Sequence, residues 1–257
     1  MAKSTGYFLN VLVARRLGLE AVGLYQAAVI LSSTYVAFIL SAMVKDYLPR
    51  LTRAGDDNAV ANRLVNEQAE IGILLGAPGI IATLTFAPMV IQYFYSREFV
   101  PAFDVLRWQI LGVFVQVGSW PVALVFQARG RGALLFWTSL VTSVIHVGLL
   151  YFGIAAFGLV GTGIAFFGMR MFHAVCTYVV ARHLTGFTWS KVNIRLASVL
   201  APLVVIVFIS GSGLGSSSHL ILGSAVSVAV GVYSARHTLR AAGPGALAAM
   251  RARIWDR

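Results

Sequence analysis

The sequence has too few charged residues to cover the surface of a soluble globular protein. Only 11% of its 257 residues are charged, whereas 58% are hydrophobic and the mean hydropathy is +0.82. A soluble domain carries roughly a quarter of its residues as charged side chains. The apolar residues also form runs near the length of a membrane-spanning helix. The chain is therefore predicted to be an all-α integral membrane protein, folded as a polytopic helical bundle.

Cysteine and carboxylate side chains are scarce, and each shortage excludes a kind of site. The single cysteine, Cys176, lies inside an apolar run, so neither a disulfide framework nor a metal site is expected. The nine acidic residues all fall in predicted loops, in the tail or near the ends of predicted spans. Cation-coupled or proton-coupled transport usually needs a carboxylate within the membrane. Any coupling therefore uses other groups, or its residues lie outside this chain.

Sequence patterns for catalysis are also missing. The predicted spans contain no paired carboxylates, and the chain has no phosphate-binding loop that ends in Lys-Ser or Lys-Thr and no nucleophile elbow. The chain is not expected to be an enzyme, and no cofactor is expected.

The apolar runs predict seven full spanning helices after one shorter segment. Each of the seven is close to the roughly twenty residues that a spanning helix needs. The segment at 6–19 is shorter and is interpreted as a partial span. The predicted full spans are 22–44, 71–94, 105–127, 133–157, 159–180, 196–213 and 219–235.

Basic residues concentrate on one side of these spans. If 45–70 lies in the cytoplasm, the same side includes 128–132, 181–195 and the C-terminal tail, and it carries 14 of the 20 basic residues. Cytoplasmic loops carry an excess of Lys and Arg, so the C-terminus is predicted to be cytoplasmic. This bias explains the net charge of +11, and no nucleic-acid partner is expected.

The longest polar interval, 45–70, is predicted to be a loop that carries a short helix. Pro49 is expected to end the preceding helix, and Asp56 or Asp57 is expected to cap a new one. The new helix is expected to lie on the membrane surface, with a weak apolar face formed by Val60, Leu64 and Val65.

Helix breakers occur within several spans and in the tail. In a bilayer, proline kinks survive where neighbouring helices or a wet cavity satisfy the freed backbone groups. They suit a transporter that bends, although Gly and Pro are common in membrane helices generally. The tail, 236–257, is interpreted as a basic anchor for anionic lipid that is broken at Gly243-Pro244-Gly245. The prolines within predicted spans are Pro78, Pro88, Pro121 and Pro202.

Arg170 is the most unusual residue within a predicted span. It lies about midway along 159–180, where insertion of an arginine costs roughly 2.5–3.5 kcal/mol. A guanidinium can bind phosphate oxygens in a bidentate manner, so the site is interpreted as a cationic cavity for an anionic head group. The alternative is that Arg170 bonds carbonyls or an acid within the packing. Helical spacing places on its face Thr162, Phe166, His173 and Thr177.

Two other spans carry polar stripes that line a wet interior or make interhelical hydrogen bonds. His146 on the first stripe and His173 on the Arg170 face are candidate proton carriers, or they donate to a neighbour. Arg15 and Arg16, near the end of the segment 6–19, are expected either near the mouth of a cavity or extended toward lipid head groups. The stripes are Ser139, Thr142, Ser143 and His146 in one span, and Gln109, Gln116, Ser119 and Gln127 in the other. The candidate substrate-binding residues are Arg170, His173, His146, Arg15, Arg16, Gln109 and Gln116.

Three stretches are similar to a known family of membrane proteins. One is DYLPRLT at 46–52, followed by VNEQAEI at 65–71 and an apolar run that contains a proline. The others are GLEAVGLYQAA at 18–28 and FAPMVIQYFYSREFVPAFDVLRW at 86–108. Together they resemble bacterial polysaccharide flippases of the multidrug/oligosaccharidyl-lipid/polysaccharide exporter superfamily.

The resemblance covers roughly 18–195 and implies the C-terminal bundle of a two-bundle flippase. It implies a second bundle at 1–195 with a partial first helix, an additional helix pair at 196–235 and a cytoplasmic tail at 236–257. The first bundle is missing from the sequence. The chain is therefore expected to be a C-terminal fragment, a separately encoded half, or a gene product begun at an internal methionine.

The implied function is translocation of a lipid-linked oligosaccharide, of the undecaprenyl-pyrophosphate type, across the bacterial inner membrane. The product would be a surface polysaccharide such as the O-antigen of lipopolysaccharide. The substrate would pass through a cationic cavity between bundles, so the chain is expected to need its missing bundle or a second subunit. Two alternatives stay open: an exporter of drugs or other small molecules from the same superfamily, and a non-transporting membrane scaffold or inactive remnant.

Overall fold

A computed structural model describes the backbone of residues 2–95, 97–213 and 216–255 and the side chains of 6–93, 95, 98–211 and 217–238. Within these ranges the chain forms eight α-helices and one 3-10 helix, and it contains no β-strand. The predicted all-helical fold is confirmed. The α-helices are α1 (Ala2–Leu17), α2 (Leu19–Arg53), α3 (Asn58–Phe94), α4 (Ala102–Ala128), α5 (Gly132–Phe157), α6 (Val160–Thr185), α7 (Lys191–Gly213) and α8 (Ser216–Trp255).

Seven of these helices, α2 to α8, are long and apolar enough to cross a membrane. Each corresponds to one predicted span. The remaining helix, α1, has 16 residues and is about 24 Å long at 1.5 Å per residue. This is shorter than the roughly 30 Å of bilayer hydrocarbon. The prediction of a polytopic bundle with seven full spans and a partial first helix is confirmed.

Short turns join most of the helices. The connection between α1 and α2 is Gly18 alone, with φ 89°, and Gly186, with φ 66°, directly follows the last residue of α6. Glycine adopts positive φ without the steric cost that other residues incur, so it can end one helix and redirect the chain. Most successive helices pack as neighbours, but α7 packs against α3 and α8 rather than against α6.

The interval 45–70 is not a loop with a surface helix. Helix α2 continues through Pro49 to Arg53, and α3 starts after four intervening residues and runs into its span without a break. As predicted, Asp57 caps α3, since its carboxylate accepts a hydrogen bond from the Val60 amide at 3.0 Å. The predicted stop at Pro49 is wrong. A proline near a helix end removes one hydrogen bond, which packing of the same segment can offset.

This packing also explains why no helix lies on the membrane surface here. Leu64 and Val65 are buried in a core cluster with Tyr47 and Leu51. The Tyr47 hydroxyl donates a hydrogen bond to the carbonyl oxygen of Pro121 at 2.9 Å. The C-terminal end of α2 and the N-terminal end of α3 therefore pack against each other and against α4.

The other expected helix breakers do not interrupt their helices. The prolines within spans all lie inside helices that continue past them. The predicted break at Gly243-Pro244-Gly245 is wrong, because α8 runs through it. Strong helix formers, mainly alanine, flank this tripeptide and offset its low helix propensity. The side chains of 239–257, including the basic ones expected to meet anionic lipid, lie outside the described residues.

An asparagine clasp ties the connection between α6 and α7 to α3. The Asn66 side chain donates to the carbonyl oxygen of Thr188 at 3.1 Å and accepts from the amide of Ser190 at 2.8 Å. The Asn193 side chain, in the first turn of α7, donates to the carbonyl oxygen of Asn66 at 2.9 Å. These bonds fix the start of α7 relative to α3, and no local sequence pattern predicts them.

The turns at 54–57, 129–131 and 186–190 lie at the same end of the bundle, which we call the basic end. Exposed cationic side chains there belong to Arg53, Arg131, Arg182 and Lys191. The predicted helix pair of 196–235 corresponds to the spans of α7 and α8, and both pack on α3. That the basic end faces the cytoplasm stays a prediction.

Candidate functional site

A cavity of about 390 Å³ lies between α1, α2, α5 and α6, and we call it the Arg170 cavity. Arg170 and His146 lie near the midpoints of their helices, so the cavity is at mid-bundle depth. Its wall combines an arginine and two histidines with four hydroxyl side chains and an apolar remainder. The wall residues are Gly6, Leu9, Tyr25, Val29, Ser139, Thr142, Ser143, His146, Phe166, Met169, Arg170 and His173.

Arg170 brings a positive charge to this wall without a carboxylate beside it. Among the described side chains it forms no ion pair, and its buried Nε has no hydrogen-bond partner there. Its guanidinium lies over the ring of Phe166 at 4.8 Å. Such a contact contributes about 0.5–2 kcal/mol, less than the several kcal/mol that an unpaired buried ion costs. Because the ring contact offsets only part of the desolvation cost, water or an anion is needed to stabilise the guanidinium.

The two histidines extend the polar wall to either side of Arg170. His146 is 7% exposed, and its Nε2 has no hydrogen-bond partner in the described part of the chain. Its ring meets the edge of Phe166 with the centroids 6.2 Å apart. His173 lies three residues after Arg170, one turn along the same face of α6. The cavity wall thus combines a cation with two imidazole rings.

The hydroxyl side chains on α5 offer acceptors. The Thr142 hydroxyl donates its proton to the carbonyl oxygen of Thr138 at 2.7 Å, within its own helix. A hydroxyl bonded in this way keeps its lone pairs free to accept from a ligand or from water. The predicted polar stripe of α5 therefore lies on the wall of the cavity.

The α4 stripe does not line this cavity. Gln109 is fully buried and accepts a hydrogen bond from the Ser32 hydroxyl at 3.0 Å, which links α4 to α2. Its Nε2 has no partner among the described groups. Gln116 is half-buried and is not one of the wall residues. In this structure the two predicted glutamines lie outside the cavity.

Arg15 and Arg16 are exposed in the last turn of α1, toward the end of the bundle opposite the basic end. The Arg16 guanidinium lies over the Tyr151 ring at 4.6 Å. Helix α1 reaches the cavity through Leu9, seven residues earlier, which corresponds to about 10 Å along the helix. The structure therefore brings Arg170, His173 and His146 together and leaves Arg15 and Arg16 away from them.

A second buried arginine, Arg107, was not singled out by the sequence analysis. Its side chain is 8% exposed, and its Nη1 lies 3.5 Å from Asp104. Its Nη2 donates to the carbonyl oxygen of Phe208 in α7, and its guanidinium lies 4.5 Å from the ring of that residue. The three-residue spacing of Asp104 and Arg107 could have predicted this ion pair, because side chains at that spacing lie side by side on a helix. Arg107 is a paired link between α4 and α7, unlike Arg170.

The N-terminal part of the chain is similar to a known family. The family described as "Polysaccharide biosynthesis protein" matches residues 2–104, which span α1 to the start of α4. The matched range contains two of the flippase-like stretches and most of the third. No curated protein and no solved structure matches the chain. The match and the spanning helices support a multi-pass membrane protein related to polysaccharide biosynthesis.

Proposed function

We propose that this chain translocates a lipid-linked oligosaccharide across the bacterial inner membrane for surface polysaccharide synthesis. The observation that carries the proposal is an arginine without an ion-pair partner on the wall of a mid-bundle cavity, among the described side chains. A pyrophosphate supplies the negative charge that this guanidinium lacks. The match to the polysaccharide biosynthesis family supports a glycan as the rest of the substrate.

The wall chemistry suits the head group of such a lipid. Arg170 binds the phosphate oxygens in a bidentate manner, and the hydroxyl oxygens of Thr142 and Ser139 accept from sugar hydroxyls. At about 390 Å³ the cavity is at the small end of ligand pockets, so it holds the pyrophosphate and a first sugar rather than a whole oligosaccharide. A second bundle or subunit, packed against α1 and α2, completes the enclosure and permits alternating access.

The orientation of the protein follows from its charge distribution. Since cytoplasmic connections carry the excess of Lys and Arg, the basic end and the C-terminus face the cytoplasm. The substrate enters at the leaflet where its glycan is assembled, and it leaves from the opposite end of the bundle.

Loss of this chain is expected to abolish surface polysaccharide and to trap the lipid-linked precursor in the inner leaflet. The test deletes the gene in the source bacterium. It then measures surface polysaccharide and the fraction of precursor that an impermeant sugar-modifying enzyme can reach in spheroplasts. Re-expression of the wild-type chain is the control and should restore both.

Two results would contradict the proposal. A scaffold role predicts reduced synthesis of the precursor, with its distribution between leaflets unchanged. A drug exporter predicts normal surface polysaccharide together with increased sensitivity to its substrates.

A further inference from the structure

A second cavity, of about 340 Å³, lies between α3, α4, α6 and α7, toward the basic end. It shares no wall residue with the Arg170 cavity. The Ser119 hydroxyl on its wall donates to the carbonyl oxygen of Val115, and the side-chain nitrogen of Asn193 donates to the carbonyl oxygen of Asn66 in the asparagine clasp. The surface left to a ligand is apolar and includes Ile73, Phe114, Ala174, Ile194 and Ala197.

This cavity lies beside a lateral gap between α6 and α7. Because α7 packs against α3 and α8, it leaves α6 without a close neighbour on that side. The apolar side chains of Val175 on α6 and Ile194 on α7 are exposed, at 57% and 58%. In a membrane these side chains face lipid hydrocarbon, so a lipid chain can reach the cavity from the side.

Cations lie at the end of this gap where lipid head groups would be. Arg182, Lys191 and Arg195 are exposed, and none forms an ion pair with another described residue. The sequence has no acidic residue between 105 and 255. Lys191 is three residues before the wall residue Ile194, on the same face of α7.

Depth along the helices matches this arrangement. Arg182 is eight residues after the wall residue Ala174, or about 12 Å along α6. Trp189, which also lines the cavity, packs on Phe187 with their centroids 4.9 Å apart. Tryptophan is enriched where hydrocarbon meets head groups. The cavity is therefore at acyl-chain depth, and Arg182 and Lys191 are at head-group depth. Arg195 lies between the wall residues Ile194 and Ala197, and its long side chain can extend from there toward the head groups.

We propose that this cavity binds one acyl chain of an anionic phospholipid, with its phosphate held by Arg182, Lys191 and Arg195. Basic pockets between membrane helices bind anionic head groups, because each nearby Lys or Arg attracts the negative charge. A zwitterionic lipid gains much less from three cations. The bound lipid fills the gap that the asparagine clasp maintains between α6 and α7, and it does so independently of the transported substrate.

The test titrates the purified full-length chain with phosphatidylglycerol or phosphatidylcholine of identical acyl chains, followed by native mass spectrometry. One phosphatidylglycerol should bind at least about tenfold more tightly than phosphatidylcholine. Replacing the three cations with glutamine should remove that preference, whereas Arg131→Gln, at the same end of the bundle, should preserve it. Ala197→Phe, or the milder Ala197→Leu, should weaken binding of both lipids by filling the cavity.

The thermal midpoint of each variant without added lipid shows whether it is folded, and the comparison uses the folded ones. Equal affinity for the two phospholipids would overturn the proposal. So would unchanged binding in a folded Ala197→Leu protein, or displacement of the phosphatidylglycerol by equimolar polyprenyl phosphate.

Discussion

Under the proposed function, replacing Arg170 with alanine is expected to abolish surface polysaccharide in the source organism while the protein stays in the membrane. The guanidinium is the one group on the described cavity wall that is positively charged regardless of pH. Without it, a pyrophosphate entering the cavity loses its counter-charge. Arg170→Lys should retain part of the export activity, because lysine keeps the charge but loses the bidentate geometry. Surface polysaccharide and membrane protein level are measured together after complementation of the deletion strain.

The matched control is Met171→Ala, on the next residue of α6, whose side chain is 43% exposed on the bundle surface. It should export normally. If Arg170 instead stabilised the packing, Arg170→Ala would lower the midpoint of thermal unfolding of the purified protein. We expect the midpoint to stay the same or to rise, since removing an unpaired buried charge removes a desolvation cost. Normal export by Arg170→Ala would show that the arginine is not needed for the substrate.

Replacing Gly161 with leucine is expected to prevent stable folding. Gly161 is buried where α6 crosses α5, and a Cβ atom built there would overlap the backbone of Gly153. The contact is reciprocal, since a Cβ on Gly153 would lie 2.6 Å from the Gly161 carbonyl oxygen. Two backbones in contact cannot yield as a flexible side chain can, so the helices must separate. Overpacking typically lowers the free energy of unfolding by about 1–3 kcal/mol. A clash with the backbone is expected at the upper end of that range or above it.

The separation would also open the wall of the Arg170 cavity, which α5 and α6 share. Size-exclusion chromatography of detergent extracts should show several-fold less monodisperse protein. Gly148→Leu is the control, because a Cβ at Gly148, in the middle of α5, would meet no atom within 4 Å. If Gly161→Leu yields as much folded protein as Gly148→Leu, the close crossing of α5 and α6 is not required.

Local sequence was sufficient to predict the spans and part of the site. Lipid imposes a minimum length of apolar helix, so seven spans could be identified from the lengths of the apolar runs. The polar faces of α5 and α6 follow from helical periodicity, which is why His146, Arg170 and His173 were expected together. The cap at Asp57 is likewise a local signal.

Features that depend on tertiary contacts could not be predicted in this way. Pro49 indicates a helix end locally, but the buried Tyr47 and its bond to Pro121 hold α2 together past it. Gln109 bonds Ser32, which lies 77 positions away in the sequence. The α4 stripe that contains Gln109 therefore could not be distinguished from a cavity wall by sequence alone. The asparagine clasp likewise forms only when α7 packs against α3.

Water accessibility of the Arg170 cavity is the most direct test of the site. Single cysteines are placed at Thr142 on the cavity wall and at Val144, whose side chain is 63% exposed on the bundle surface, in a Cys176→Ser background. Membrane vesicles are then treated with a hydrophilic methanethiosulfonate, which reacts with thiols in contact with water. We expect the cysteine at 142 to react many times faster than the one at 144, and a polyprenyl pyrophosphate to slow only the former. Equal and slow labelling at both positions would show that the cavity is dry and would contradict a cationic translocation site around Arg170.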